Sequence, residues 1–271
     1  MHLTTATLSL INGRVTKFIM VEAILLMAVL ASPGLLSAGG LSGNLSLSSH
    51  GTETIAVNGT NIDFDFTGTD AGTPPIVTSG TVDGNGDTGL FDITGASTGS
   101  YAGITGTTVT VHDLDSTMEP VGSTTGSALP LTNFITFTAE PGWNITLTEI
   151  LPGADSSACD GSTAYCTPAG SPFNLQNEAG GQVLVGFAFM GTETDGLGDI
   201  SAVAGTFSTT FSNTNYQTIL ADLKASDAIV SSANATIGVT PIPEPATIYQ
   251  LLLGCGVLMG SIAYRRRQQR R

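Results

Sequence analysis
The sequence predicts an all-β fold, an antiparallel β-sandwich or flattened barrel carrying one short helix. Three observations lead there. Apolar and polar residues alternate in short runs, as where Ile62, Phe64 and Phe66 interleave with Asp63 and Asp65; period two sends one side chain to the core and the next to solvent. The runs are separated by Gly, Asn, Asp, Ser and Thr, with Gly alone contributing 34 residues, and these residue types are the ones that turns select. No fixed-period repeat is visible, which argues against a β-helix.

Leu41, Leu45 and Leu47 open the pattern, and Ile55 and Val57 continue it. After Phe66 the runs fall at 90–94, 107–112, 133–138, 143–150, 182–190, 203–211 and 233–240, giving about ten strands. Within 182–190 both files are apolar: Val183, Val185, Phe187 and Phe189 on one, Leu184, Ala188 and Met190 on the other. That strand is expected to be central and buried on both faces. Trp143 opens another core strand. The stretch 215–225 departs from period two, because Tyr216, Ile219, Leu220 and Leu223 recur at helical spacing behind the capping candidates Thr214 and Asn215. One short helix is expected there, covering an open end or edge of the sheets.

Charge narrows what this region can bind. The formal net charge of the chain is −14, yet between residues 39 and 242 the only Lys or Arg is Lys224. Of the 22 acidic residues, all but Glu22 and Glu244 lie in that interval. A surface so negative repels nucleic acid and anionic lipid, and it suits divalent cations or plain solubility. About two hundred residues suffice for one domain with a sizeable core. Cys159 and Cys166 bracket the loop CDGSTAYC; in an oxidising compartment a disulfide closing that loop is expected.

Candidate chemistry is sparse. Gly95-Ala96-Ser97-Thr98-Gly99 fits the G-x-S-x-G pattern of hydrolase nucleophile elbows, but a Gly- and Ser-rich chain produces that pattern by chance, and no strand, elbow and helix surround it. A catalytic residue is therefore not assigned, and a secreted hydrolase is the lesser reading. The better candidate is Asp83-Gly84-Asn85-Gly86-Asp87, in which oxygen ligands alternate on a glycine-bent loop. Such a loop can wrap a hard cation such as Ca²⁺, with Asp92 as an added ligand. Thr88 and Thr94 stand where an EF-type loop has Gly and Glu, and the simpler reading of the same residues is a hairpin turn. Glu193, Asp195 and Asp199 make a second, weaker acidic loop.

The two ends read differently from the middle. Arg14 and Lys17 precede an apolar core at 23–31 and the small residues Ser37, Ala38, Gly39 and Gly40. This is the layout of a secretory signal peptide over 1–39, which implies the Sec translocon and signal peptidase as partners and a mature domain over 40–240. At the other end, over 241–271, Pro243, Glu244 and Pro245 precede an apolar run at 246–264 and then Arg265, Arg266, Arg267, Arg270 and Arg271. Nineteen residues of helix reach about 28 Å, close to a bilayer's hydrocarbon thickness. The run is expected to form a single transmembrane helix, with the arginines as a cytoplasmic stop that places the domain across the membrane. The prolines are expected to keep 241–245 extended, outside helix and sheet and open to a protease.

The order Pro-Glu-Pro, apolar run and arginine cluster resembles the PEP-CTERM sorting signal of exopolysaccharide-producing Gram-negative bacteria. That resemblance covers little more than a tenth of the chain. It implies recognition and processing by exosortase, a membrane-embedded cysteine transpeptidase, with Pro243, Glu244 and Pro245 as the motif read. It also implies an inner-membrane intermediate and a final place at the cell surface or in the biofilm matrix, beside exopolysaccharide. The stretch 143–177 resembles the all-β middles of a group of small PEP-CTERM proteins of no assigned activity. The motif's name is shared with ice-binding proteins, but the flat, repeated Thr array that ice recognition needs is not seen along the chain. The resulting expectation is an exported, non-enzymatic surface or matrix protein, with a calcium- or carbohydrate-dependent adhesion module as the alternative.

Overall fold
A computed structural model describes residues 40–51, 53–58, 61–66, 69–71, 76–79, 88–116, 121, 129–153, 159–225, 228–242 and 245–269. The expected signal peptide over 1–39 lies outside the described residues. Those from 40 to 242 belong to one compact unit, and the helix at 245–268 belongs to another.

Alternation gives sixteen strands among the described residues. In chain order they are β1 (Gly43–Ser49), β2 (Thr54–Val57), β3 (Asn61–Phe66), β4 (Thr69–Ala71), β5 (Ile76–Ser79), β6 (Thr88–Ile93), β7 (Thr108–His112) and β8 (Leu114–Asp115). There follow β9 (Leu131–Phe137), β10 (Asn144–Ile150), β11 (Tyr165–Cys166), β12 (Asn174–Glu178), β13 (Gln182–Thr194), β14 (Ile200–Ser212), β15 (Ile229–Ser231) and β16 (Asn234–Pro241). The first sheet runs β10-β9-β7-β6-β1-β16-β14-β13, and β13 pairs back onto β10 through Asn144↔Thr194 to Ile150↔Phe189. Eight antiparallel strands therefore close into a barrel, and closure removes the open edges that would otherwise invite pairing with other chains. β12 and β11 continue from β13 beyond the barrel, and a second sheet runs β4-β5-β15-β2-β3-β8. Of the two architectures expected from sequence, the structure takes the barrel.

The interior is filled by the apolar file of each strand. Leu45 and Leu47, Phe91 and Ile93, Val109 and Val111, Ile145 and Leu147, Val203 and Phe207, and Ile237 are all buried. Phe207 is their hub: its ring centroid lies 5.2 Å from Phe64, 5.4 Å from Phe187, 5.7 Å from Phe189, 5.9 Å from Phe91 and 6.2 Å from Phe134. Phe64 enters from β3, so the second sheet packs its core onto the barrel's own. Gly205 makes room for this cluster, since a Cβ there would sit 2.3 Å from the Phe189 ring.

The β13–β14 hairpin pairs over all thirteen residues, from Gln182↔Ser212 to Thr194↔Ile200. Burial on both faces of β13 does not hold: Leu184 is 37 % and Met190 44 % exposed. A closed barrel has an inside and an outside, so an apolar second file faces outward. The expected helix is present as α1 (Tyr216–Lys224), with Asn215 as the cap, its Oδ1 accepting from the Thr218 N–H at 2.9 Å. α1 buries Tyr216 and Ile219 against Leu175, Val183, Val185 and Phe211. Cys159 and Cys166 are joined in a disulfide. The Tyr216 hydroxyl ties that loop to α1, accepting from the Gly161 N–H and donating to the Thr163 carbonyl, both at 3.0 Å.

The C-terminal element is α2 (Pro245–Gln268). It differs from expectation at both ends. Pro245 begins the helix instead of preceding it, because a first-turn N–H has no intrahelical partner to lose and proline's φ is already helical. Helix continues through the exposed Arg265, Arg266 and Arg267, which are good helix formers and suit the negative end of the macrodipole. Pro241 likewise ends β16 opposite Ser201, and the Ile242 N–H donates to the Ile200 carbonyl at 3.1 Å. Pairing thus reaches further than the prolines suggested; an N–H-free residue is tolerated at a strand end. Pro243, Glu244, Arg270 and Arg271 lie outside the described residues. Among the described residues no helix is long and apolar enough to cross a membrane, so a spanning role for 246–264 rests on the residue pattern.

Truncating the hub tests the packing. Phe207→Ala is expected to cost about 3–5 kcal/mol in urea unfolding, whereas Leu197→Ala, at a side chain 90 % exposed, should change stability by no more than about 0.5 kcal/mol.

Candidate functional site
Three carboxylates converge beside the barrel. Asp63 and Asp65 are two apart on β3, which puts them on one face of the strand, and Asp113 lies in the one-residue step between β7 and β8. β8 pairs with β3 through Asn61↔Asp115 and Ile62↔Leu114, and this pairing carries Asp113 to the same place. One ligand oxygen from each of the three lies within 4.8 Å of the others. Asp63 and Asp113 are buried and Asp65 is half-buried. Asp113 Oδ1 accepts from the Phe64 N–H at 2.7 Å, and Asp63 Oδ1 from the Asp65 N–H at 3.2 Å. These bonds fix the carboxyl groups on the backbone of β3. Lys224 is the only Lys or Arg from 39 to 242. Oxygen-only donors are what hard divalent cations take. The cluster could hold a metal ion.

The residues singled out from sequence fall elsewhere. Asp83, Asn85 and Asp87 lie outside the described residues. Asp92 is on β6, where its Oδ1 meets His50 Nδ1 at 2.8 Å and its hydrogen bond holds the imidazole above its ordinary pKa. Ser97 is buried, with its hydroxyl accepting from the Ser46 N–H at 3.0 Å and donating to the Ser46 carbonyl at 3.3 Å. It fastens the turn after β6 to β1, and a 3-10 helix (Gly99–Ile104) follows it.

The acidic loop expected at Glu193, Asp195 and Asp199 is split. Asp195 turns the β13–β14 connection, accepting from the Leu197 N–H at 2.7 Å and the Asp199 N–H at 3.3 Å. Glu193 instead points into the barrel and is 1 % exposed. Its Oε2 accepts a short hydrogen bond from the Tyr101 hydroxyl. Its Oε1 is buried with no hydrogen-bond partner among the described residues. Burial pushes the carboxyl up to about 7, against the opposing effect of the Tyr101 hydrogen bond, and burial likewise pushes the Tyr101 hydroxyl up.

An apolar cavity of about 80 Å³ opens between α1, β2 and β15 on one side and the β12–β14 strands on the other, with Ile55, Leu175, Phe211, Ile219 and Ile229 among its walls. Among the described residues no charged side chain lines it.

The Asp63 cluster is not among the sites the sequence points to, because alternation alone sends both carboxylates to solvent. Glu193 is legible only as part of the weaker acidic loop with Asp195 and Asp199; its inward direction follows from barrel closure. In comparisons with protein-family models, curated proteins and solved structures, nothing matches the chain.

Proposed function
We propose that the chain is an exported, non-enzymatic surface or matrix protein whose β-barrel domain is delivered by its C-terminal tail. The order of parts at residues 241–271 carries the reading: Pro243-Glu244-Pro245, the apolar run 246–264, and five arginines. In this reading 1–39 is a signal peptide read by the Sec translocon and removed by signal peptidase. The run 246–264 holds the protein in the inner membrane, and the arginines keep their end cytoplasmic. Exosortase then acts near the Pro-Glu-Pro motif, and the barrel passes to the outer surface or an exopolysaccharide matrix. The disulfide Cys159–Cys166 supports export, because such bonds persist in oxidising compartments. The end of β16 at Pro241 supports a short connection between barrel and motif.

Mass spectrometry of secreted and membrane fractions tests this in an exosortase-bearing host and its exosortase-deleted derivative. The expected mature form begins near residue 39 or 40 and lacks the residues beyond about Pro245, and it disappears on deletion. Full-length, membrane-bound chain in both strains would contradict processing.

A second reading concerns Asp63, Asp65 and Asp113, and makes the barrel a calcium-dependent module. The convergence of three carboxylates, each offering an oxygen ligand, supports it. A ligand held at a hundred times its dissociation constant stabilises by about 2.7 kcal/mol. Saturating Ca²⁺ should therefore raise the melting temperature by roughly 5–10 °C. Asp63→Asn with Asp113→Asn should abolish that rise. A melting temperature indifferent to Ca²⁺ would remove this reading.

A further inference from the structure
Glu193 poses a question that sorting does not answer: why a carboxyl should sit inside a barrel with one oxygen unpartnered. The Gly99–Ile104 helix lies beside β1, held by pairs of backbone and hydroxyl bonds. The Ser42 N–H donates to Ser100 Oγ at 3.1 Å and the Asn44 N–H to Thr98 Oγ1 at 3.1 Å. The Ser100 N–H returns to the Ser42 carbonyl and the Thr98 N–H to the Asn44 carbonyl, both at 2.8 Å. Close approach is possible because Gly43 (φ 128°) and Gly99 (φ 65°) face one another; a Cβ on either would lie within 2.3 Å of the opposite strand's carbonyl oxygen. From this strap Tyr101 enters the barrel, fully buried, with its ring 6.0 Å from Phe137 and 5.9 Å from Trp143.

At the far end of the Tyr101 side chain is Glu193. Its neighbours across the sheet are Ile145 on β10 and Ser201 on β14, both buried. Ser201 is occupied elsewhere, its hydroxyl donating to the Leu41 carbonyl at 2.7 Å. Phe137 and Trp143 complete the surroundings of the Tyr101 ring. Among the described residues Tyr101 is the titratable side chain that meets Glu193. No cation among the described residues lies against the carboxylate, and a buried ionised oxygen without a donor is costly.

We propose that Glu193 and Tyr101 form a proton-operated latch, which seats the Gly99–Ile104 strap in the barrel while the carboxyl is neutral and loosens it when the carboxyl ionises. The sign follows from burial. A carboxyl whose folded value lies above its ordinary 4.5, at about 7, gives its full stability below pH 4.5 and loses it as pH rises through the folded value. Across that window the folded-to-unfolded ratio should fall on the order of a hundredfold on account of this group. The latch stands apart from sorting: it concerns how tightly the delivered barrel is closed.

The test is urea unfolding of the purified full chain in detergent from pH 4 to 9, with hydrogen exchange read at 99–104. Wild type should lose stability between about pH 4.5 and 7, with protection at 99–104 falling in the same interval. Glu193→Gln should remove that component and exceed wild type in stability at pH 8. Should Glu193→Gln fail to fold, Tyr101→Phe decides: it takes away the donor that favours the ionised form, so the pH at which the loss levels off must move upward. Matching pH profiles for wild type and Glu193→Gln, or a Tyr101→Phe profile that stays in place or moves downward, would overturn the latch.

Discussion

The structure depends on one pairing, that of β10 with β13. Without it the first sheet would be an open ten-stranded ribbon with β10 exposed at one edge; with it, eight strands enclose a core. The cost is the ordering of distant chain segments, since Asn144–Ile150 must meet Phe189–Thr194. Burial offsets that cost, because closure lets Phe134, Phe187, Phe189 and Phe207 meet in one cluster, each contributing about 1.5–3 kcal/mol of transfer free energy. Closure also decides direction. Once the barrel shuts, every inward residue along the closing part of β13 is in the core whether apolar or not, and Glu193 goes with Phe187, Phe189 and Gly191.

A second constraint runs through the same domain. With Lys224 as the only Lys or Arg from 39 to 242, the carboxyl groups of the domain are placed in three ways. Asp92 uses His50 at a partly exposed site. Asp63 and Asp113 accept backbone N–H groups, and Asp65 crowds against them. Glu193 takes a tyrosine hydroxyl and an upward shift. Each turns a composition that keeps the surface strongly negative into a local dependence on protons or on a cation.

Much of this was legible in the residues, and the failures share a cause. Alternation located β1, β3, β7, β9, β13, β14 and β16 because period two is a local property. The α1 helix and its Asn215 cap were equally local. Pairing order is not local, so the sequence left sandwich and barrel open, and with them the outward face of Leu184 and Met190. The buried Asp-x-Asp on β3 was missed for the same reason: alternation assigns polar residues to solvent unless a neighbouring strand, here β8 with Asp113 before it, covers them. Short strands such as β8 and β11, two residues each, have no period to detect at all. At the tail proline bounds structure without breaking it: Pro241 ends a strand and Pro245 starts a helix.

Barrel and tail divide the labour in the proposed account: the barrel is the cargo, and residues 241–271 are the address. The most direct measurement moves the address alone. A reporter of unrelated fold, carrying a signal peptide and ending in residues 241–271, would be followed in an exosortase-bearing host by fractionation and intact mass. The account predicts a membrane-held precursor and a released reporter trimmed near the Pro-Glu-Pro motif, with release lost when Pro243, Glu244 and Pro245 are replaced by alanine. A reporter that stays full length in the membrane, or is released equally well without the motif, would contradict it.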